Sequence, residues 1–463
     1  MRISGYSVKN ILLLLAFLFV IVACEDDENE IEIEEEETID PGVLKINSFV
    51  YENMSLYYLW EDKMPTLNIS EEPDTWEYFD KLLYDEIDRW SFITDDVDEL
   101  NNYFAGVRKE VGYSLRGYYF EEGSDRVVAF IEYVEPGGPA DKAGLKRGDL
   151  IVEMNGAWIT PDNYSDLFYS DQLNVGLGTV SDGEIYDLTP SVDVTAEEIQ
   201  IDPILRNEVF TISGIKIGYL AYTSFIDEYN DDLEAVFSNF KAEGVSELIL
   251  DLRYNGGGAV STARLMASMI CPASSAGELF LRSAYNDGLE EAIRNENPGT
   301  YTEWFEDYFE TNSNNLDLSN LYVLTTGGTA SASEMVIYSL SPYMNVFQIG
   351  EQTHGKYYGS ITIEDEDGTH NWAIQPIIMR AENVDNSIDY SIGLIPDYEM
   401  YDDFRYELGD PDEVLTAFAI SKITGSSTKA QELLKSAKTI DFIPSKEFLM
   451  KENPLRYEMY IDK

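Results

Sequence analysis

From residue 215 to about 400 the chain alternates short apolar runs with amphipathic stretches, and few folds satisfy that pattern. Ile217–Ala221, Leu248–Leu252, Tyr322–Thr325 and Val346–Ile349 read as strands, with 231–243, 259–270 and 332–341 as helices between them. A strand, a helix and a second strand in the same direction need a right-handed crossover. The pattern therefore predicts an α/β core with a parallel sheet. In such a sheet the strands end on one edge, and ligands bind outside it.

Three of those strands end in unusual loops. After Leu252 comes Arg253-Tyr254-Asn255-Gly256-Gly257-Gly258. After Thr325 and Thr326 comes Gly327-Gly328-Thr329-Ala330-Ser331-Ala332-Ser333-Glu334. After Ile349 comes Gly350-Glu351-Gln352-Thr353-His354-Gly355-Lys356. If the strands are neighbours, a glycine loop, a serine at a helix N-terminus and a lysine converge. Ser331 would then sit where helical amides lack partners and the dipole is positive, which suits a nucleophile whose product is an oxyanion. The Ala332 amide would point at that oxyanion, and Gly257 or Gly258 would supply a second donor. Taken singly, each loop reads as an ordinary cap or turn. Asp251 and Arg253 read as an ion pair holding the glycine loop. Gly256–Gly258 lacks the spacing and the Lys-Ser/Thr of a nucleotide loop, and no cofactor is expected.

The N-terminal residues read as an address. Arg2 and Lys9 precede 13 apolar residues, Ile11 to Ala23, and then Cys24. The run is too short to span a bilayer, which needs ~20 residues, and fits a secretory signal. Ile21-Val22-Ala23-Cys24 resembles a lipobox, which makes 1–23 a lipoprotein signal peptide and Cys24 the lipidated residue. Residues 25–40 hold 11 acidic and no basic side chains, an extended tether within 24–42. Together they point to the bacterial cell envelope, the outer membrane in particular, with a lipid anchor as the membrane contact.

Charge excludes other classes. The chain carries 31 Lys+Arg against 87 Asp+Glu, a formal net charge of −56. Such a surface repels phosphate backbones, so no nucleic-acid partner is expected. Two cysteines and two histidines rule out a disulfide scaffold and argue against a His- or Cys-rich metal site. The acidic clusters Asp95–Glu99 and Glu364–Asp367 match no calcium loop and read as solvated faces.

Before the α/β region lie two other segments. Val43, Ile46, Phe49, Val50 and Met54 recur at helical spacing, as do Trp76, Phe79, Leu82 and Leu83, and a third helix is expected near 96–105. Residues 43–108 thus form an N-terminal helical domain without apparent chemistry. Residues 109–205 change to short strands with Gly and Pro punctuation. There Glu135–Gly156, EPGGPADKAGLKRGDLIVEMNG, resembles a PDZ domain. PDZ domains add a peptide C-terminus as a strand at a sheet edge. The resemblance places the carboxylate loop at Leu115, Arg116, Gly117 and Tyr118.

With this segment, DLRYNGGG, TASASE and GEQTHGK in order, and 25 residues from Ser331 to Lys356, the chain resembles the C-terminal processing (tail-specific) serine peptidases. The resemblance implies a crotonase-like peptidase core over 206–400, an inserted PDZ domain and a C-terminal helical segment over 401–463. It also implies Ser331 as nucleophile and Lys356 as general base. Substrates would be unfolded proteins or free peptide C-termini entering in extended form.

A lysine at its ordinary ~10.4 is protonated at neutral pH, and lowering it to ~7 takes about 4 kcal/mol against the charged form. The excess of carboxylates opposes this, so local burial must prevail, with Tyr357, Tyr358 and Ile361 as candidate neighbours. The family commonly has glutamine four residues after the lysine. Here that residue is Ser360, a shorter orienting group. His354 offers an alternative base and Ser333 an alternative nucleophile, though residues two apart on a helix do not share a face. Two other classes remain in view: a lipid-anchored PDZ protein on an inactive peptidase scaffold, and a carbohydrate-binding surface lipoprotein. The latter leaves the serine and lysine loops unexplained.

Overall fold

A computed structural model describes residues 39–181, 184–186, 190–385, 389–436, 443–444 and 459–461. The expected signal peptide, Cys24 and most of the acidic tether lie outside them. No described helix is long and apolar enough to cross a membrane.

Three helices open the described chain: α1 (Pro41–Tyr57), α2 (Thr75–Leu82) and α3 (Val97–Phe104). Asp40, Asp74 and Asp96 cap them, each side chain accepting a backbone N–H of the first turn. Val50, Met54, Tyr78, Phe79 and Leu82 meet in a core that also takes Ile374 from far along the chain.

The next segment is a β-sheet module built on β1 (Tyr113–Tyr119), β2 (Val127–Val134), β3 (Leu150–Met154) and β4 (Gln172–Ser181). They pair antiparallel in that order around Val127, Ala129, Ile131, Ile151 and Val175. The residues expected in a carboxylate loop are strand residues instead. Leu115, Arg116, Gly117 and Tyr118 pair with Ile131, Phe130, Ala129 and Val128 of β2. The cause is apolar: Leu115 and Tyr118 face cores on opposite sides of the sheet, as the pleat requires.

The α/β core is a six-stranded sheet of β5 (Ile204–Ile212), β6 (Ile215–Tyr222), β7 (Glu247–Asp251), β8 (Asn320–Thr325), β9 (Asn345–Gly350) and β10 (Tyr398–Glu399), in that spatial order. From β6 to β10 neighbours run parallel, but β5 pairs antiparallel with β6, so the sheet is mixed rather than wholly parallel. The reversal comes at Ser213-Gly214, both at positive φ, the backbone of a two-residue hairpin turn. Alternate residues face opposite sides. Leu248, Leu250 and Val323 meet α4 (Asn230–Glu243), α5 (Val260–Ile270) and α6 (Ala332–Leu340), whereas Ile249, Tyr322 and Leu324 meet α7 (Val414–Ile423).

A second sheet starts in the glycine loop that follows β7. Its order is Gly258–Ala259, Met459–Tyr460, Tyr358–Ser360, Ile377–Glu382, Leu279–Tyr285 and Glu306–Tyr308. The segment expected to be a C-terminal helical extension is therefore only partly so. After its helices, Ile443–Pro444 joins β1 and Met459–Tyr460 joins this second sheet.

Candidate active site

Strands β7, β8 and β9 are adjacent and parallel, so the three loops meet at one edge. Ser331 is the N-cap of α6 and has φ +61° and ψ −119°, a conformation L-residues rarely adopt. Its Oγ is fully buried and has no hydrogen-bond partner among the described residues. Ser333, the competing hydroxyl, donates to the Asn255 carbonyl oxygen at 3.0 Å and is committed to holding the glycine loop.

Glu334 was not singled out from the sequence, yet it organises the site. It is fully buried, and its Oε2 accepts the backbone N–H groups of both Ser331 and Lys356, each at 2.9 Å. Its Oε1 accepts Gly355 N at 2.8 Å and the Thr353 hydroxyl. Burial pushes this carboxyl up to about 7, against the pull of those four donors. One side chain thus grips the serine turn and the lysine loop. Its sequence signal was the serine–x–x–glutamate spacing of a capping box, which marks helix starts generally.

Lys356 is fully buried. Its Nζ lies 6.0 Å from the centroid of Trp90, which forms an apolar cluster with Tyr358 and Ile377. Tyr358 was among the expected neighbours. Trp90 was not, and it comes from the helical region in which no chemistry was expected. His354, the alternative base, has its backbone N–H tied to Thr329 O at 2.9 Å.

Ala332 is the first residue of α6, directly after Ser331. The two glycines differ. Gly257 N donates to Asn255 Oδ1 at 2.9 Å, so its amide is already committed. Gly258, at φ +133°, lies in register with Met459. A Cβ there would come within 2.3 Å of the Phe225 carbonyl oxygen, so only glycine fits. Ser360 Oγ donates to Met459 O and accepts from Gln375 Nε2, both at 3.0 Å. A glutamine thus reaches the residue that replaces the expected one, from a strand 15 positions further on.

The expected Asp251–Arg253 pair is part of a larger buried network. The Arg253 guanidinium bonds Asp251, Asp402 and Glu413, and Arg147 of the β-module shares Asp402 at 2.8 Å. Burial opposes ionising Asp402, but the two guanidiniums hold its carboxyl well below the usual range. A second link forks from Arg116 to both oxygens of Glu351, at 2.8 and 2.7 Å, in the loop that carries Lys356.

Between the helical domain, the β-module and the core lies a cavity of about 1090 Å3, bordered by Phe104, Leu115, Tyr254, Gly256–Gly258 and Tyr460. No group of three His, Cys, Asp or Glu side chains that could hold a metal occurs among the described residues.

With this geometry in view, comparison with known proteins is decisive. Residues 216–400 match peptidase family S41, residues 45–92 the peptidase S41 N-terminal domain and residues 130–172 a PDZ domain. The chain belongs to peptidase family S41. It is 25% identical over 319 residues to a chloroplastic C-terminal processing peptidase of Tetradesmus obliquus, covering 64% of this chain and 62% of that one. It is 26% identical over 239 residues to the carboxy-terminal processing protease CtpA of Bacillus subtilis, covering 50% and 45%. The chain thus spans about half to three-fifths of these relatives. Among solved structures, an S41 protease of Bacteroides fragilis is similar over 82% of this chain and 97% of its own, with 29% identity and a TM-score of 0.66. A photosystem II D1 C-terminal processing protease shares the fold, with 21% identity, a TM-score of 0.50 and coverage of 78% and 94%.

Proposed function

We propose that this S41 chain is a serine endopeptidase with a Ser331–Lys356 dyad, cutting unfolded or C-terminally tagged proteins. The observation that carries this reading is the Glu334 carboxylate, which fixes the backbone of both residues at one oxygen. Ser331 Oγ attacks the scissile carbonyl carbon and passes its proton to the neutral amine of Lys356. The Ala332 amide faces the developing oxyanion. Collapse breaks the C–N bond, and Lys356 returns the proton to the leaving amine. Water then hydrolyses the acyl-enzyme by the same route. Full burial of Lys356 disfavours a charged amine at this position, against the attraction of the Trp90 ring face 6.0 Å from Nζ.

In this reading the PDZ domain recognises substrate C-termini, supported by its sheet edge, where Ile443–Pro444 of the chain itself pairs antiparallel with Tyr119 and Tyr118 as an added peptide strand would. Anchoring through Cys24 in the bacterial envelope completes the reading. The alternative, a tail-binding protein on an inactive scaffold, is favoured by the full burial of Ser331 and Lys356.

The test is digestion of a dye-labelled unfolded protein by wild type, Ser331→Ala and Lys356→Ala. Cleavage by wild type alone supports the dyad. Equal cleavage by Lys356→Ala would remove the lysine from the mechanism, and no cleavage by any of the three would favour the binder. For the anchor, Cys24→Ala should release the protein from membranes.

A further inference from the structure

We propose that Met459–Ile461 occupies the groove of the substrate strand, so that the chain carries its own competing ligand. This rests on the reading of Ser331 as the nucleophile. Met459–Tyr460 runs parallel between Gly258–Ala259 and Tyr358–Ser360. One neighbour continues the glycine loop beside the serine turn, and the other begins two residues after Lys356. An extended chain lying there is bonded on both sides. Ser360 Oγ donates to Met459 O at 3.0 Å, and Ile461 N donates to Ser360 O at 3.1 Å.

The side chains fit as a ligand's would. Met459 is fully buried in the main apolar core, and Tyr460 stacks on Phe104 with ring centroids 4.3 Å apart. Tyr460 also walls the large cavity, which reaches Gly256–Gly258 but borders neither Ser331 nor Lys356. Both are 0% exposed. A peptide in the cavity therefore meets Tyr460 and the glycine loop and is kept from the hydroxyl. The occupant is also chemically informative. A competing substrate would place a flexible apolar side chain where Met459 lies and an aromatic one over Phe104.

An occupant bound about nine-tenths of the time raises the apparent KM about tenfold. Two variants of the full chain relieve it differently. Tyr460→Ala removes the stack on Phe104, and Ile461→Pro removes the N–H that bonds Ser360. Each should lower KM for an unfolded protein severalfold, up to about tenfold, with little change in melting temperature. In a Ser331→Ala background, a labelled peptide of residues 457–463, Tyr-Glu-Met-Tyr-Ile-Asp-Lys, should bind severalfold more tightly to either variant than to the unaltered tail.

Unchanged KM and peptide affinity, or a lowered melting temperature with no gain in either, would overturn the proposal and leave a strand that only completes the sheet. The binding arm needs no turnover. If no form of the chain cleaves protein, the endopeptidase reading fails while the peptide still decides whether the groove is self-occupied.

Discussion

The backbone amides of Ser331 and Lys356 donate to the same oxygen of Glu334, each across 2.9 Å. The two nitrogens can therefore be no further apart than twice that distance, although they lie in different loops. Glu334→Gln preserves size and one acceptor but turns an NH2 group toward backbone donors. The displaced loops should cost about a hundredfold in kcat, since a shift of about 1 Å has that effect on a catalytic pair. Steady-state rates on an unfolded protein, beside circular dichroism to verify folding, check this. A variant with wild-type kcat would show that the shared oxygen is dispensable.

Stability should fall as pH rises from mildly acidic to mildly basic. Burial raises Glu334 to about 7 and, with repulsion from Glu110, raises Glu135 to about 8, from an ordinary 4.5. The folded state therefore holds these protons more tightly than the unfolded chain, and stability is lost as each carboxyl ionises in the native protein. The window runs from about 4.5 to about 8, with a plateau above it. Glu334 alone contributes about 3 kcal/mol, at roughly 1.4 kcal/mol per pH unit. Urea midpoints across pH 5 to 9 measure it, and Glu135→Gln should flatten the upper end. Midpoints that rose through this window would contradict both assignments.

Arg116 and Glu351 join the PDZ domain to the loop of Lys356, with side chains 6% and 15% exposed. Breaking such a pair from one side leaves a charge with poor solvation, at a cost of about 3–5 kcal/mol. Arg116→Met should therefore destabilise strongly and reduce turnover. Adding Glu351→Gln should recover much of the stability, because the stranded carboxylate is gone. If turnover remains low in the double variant, the bridge carries information between domain and site. Thermal melts and rates of the four proteins in the cycle separate the two effects.

The parts legible in the sequence are those written in local pattern. Leu248–Leu252 and Val346–Ile349 are short, mostly apolar runs that lead into glycine-containing loops, and their strand identity follows from neighbours in sequence. The site's two poles, Ser331 and Lys356, sit at such strand ends and so could be read. Trp90 could not, because its approach to Lys356 spans more than half the chain and depends on how two domains dock. The resemblance to PDZ domains placed a loop at Leu115–Tyr118, whereas pairing with β2 and two apolar faces make it a strand. Met459 and Tyr460 carry no local strand signal, and their conformation comes from the two edges they bridge.

Ser360 and Gln375 should behave as one unit. Gln375 Nε2 donates to Ser360 Oγ at 3.0 Å, and Gln375 Oε1 accepts the Thr362 hydroxyl at 2.7 Å, so the amide orientation is set from both ends. If the Ser360 hydroxyl takes over from the orienting glutamine that the family commonly has at this position, Gln375 acts through it. Ser360→Ala and Gln375→Ala should then each lower kcat by roughly tenfold, and the double variant should lose little more than either, because interacting residues in one network are not additive. Both variants should also shift the acidic limb of the pH–rate profile, since that limb reports the protonation of the base. A purely structural role would leave the limb in place while lowering the melting temperature. Multiplicative losses of about a hundredfold in the double variant would show two independent functions and dissolve the pair.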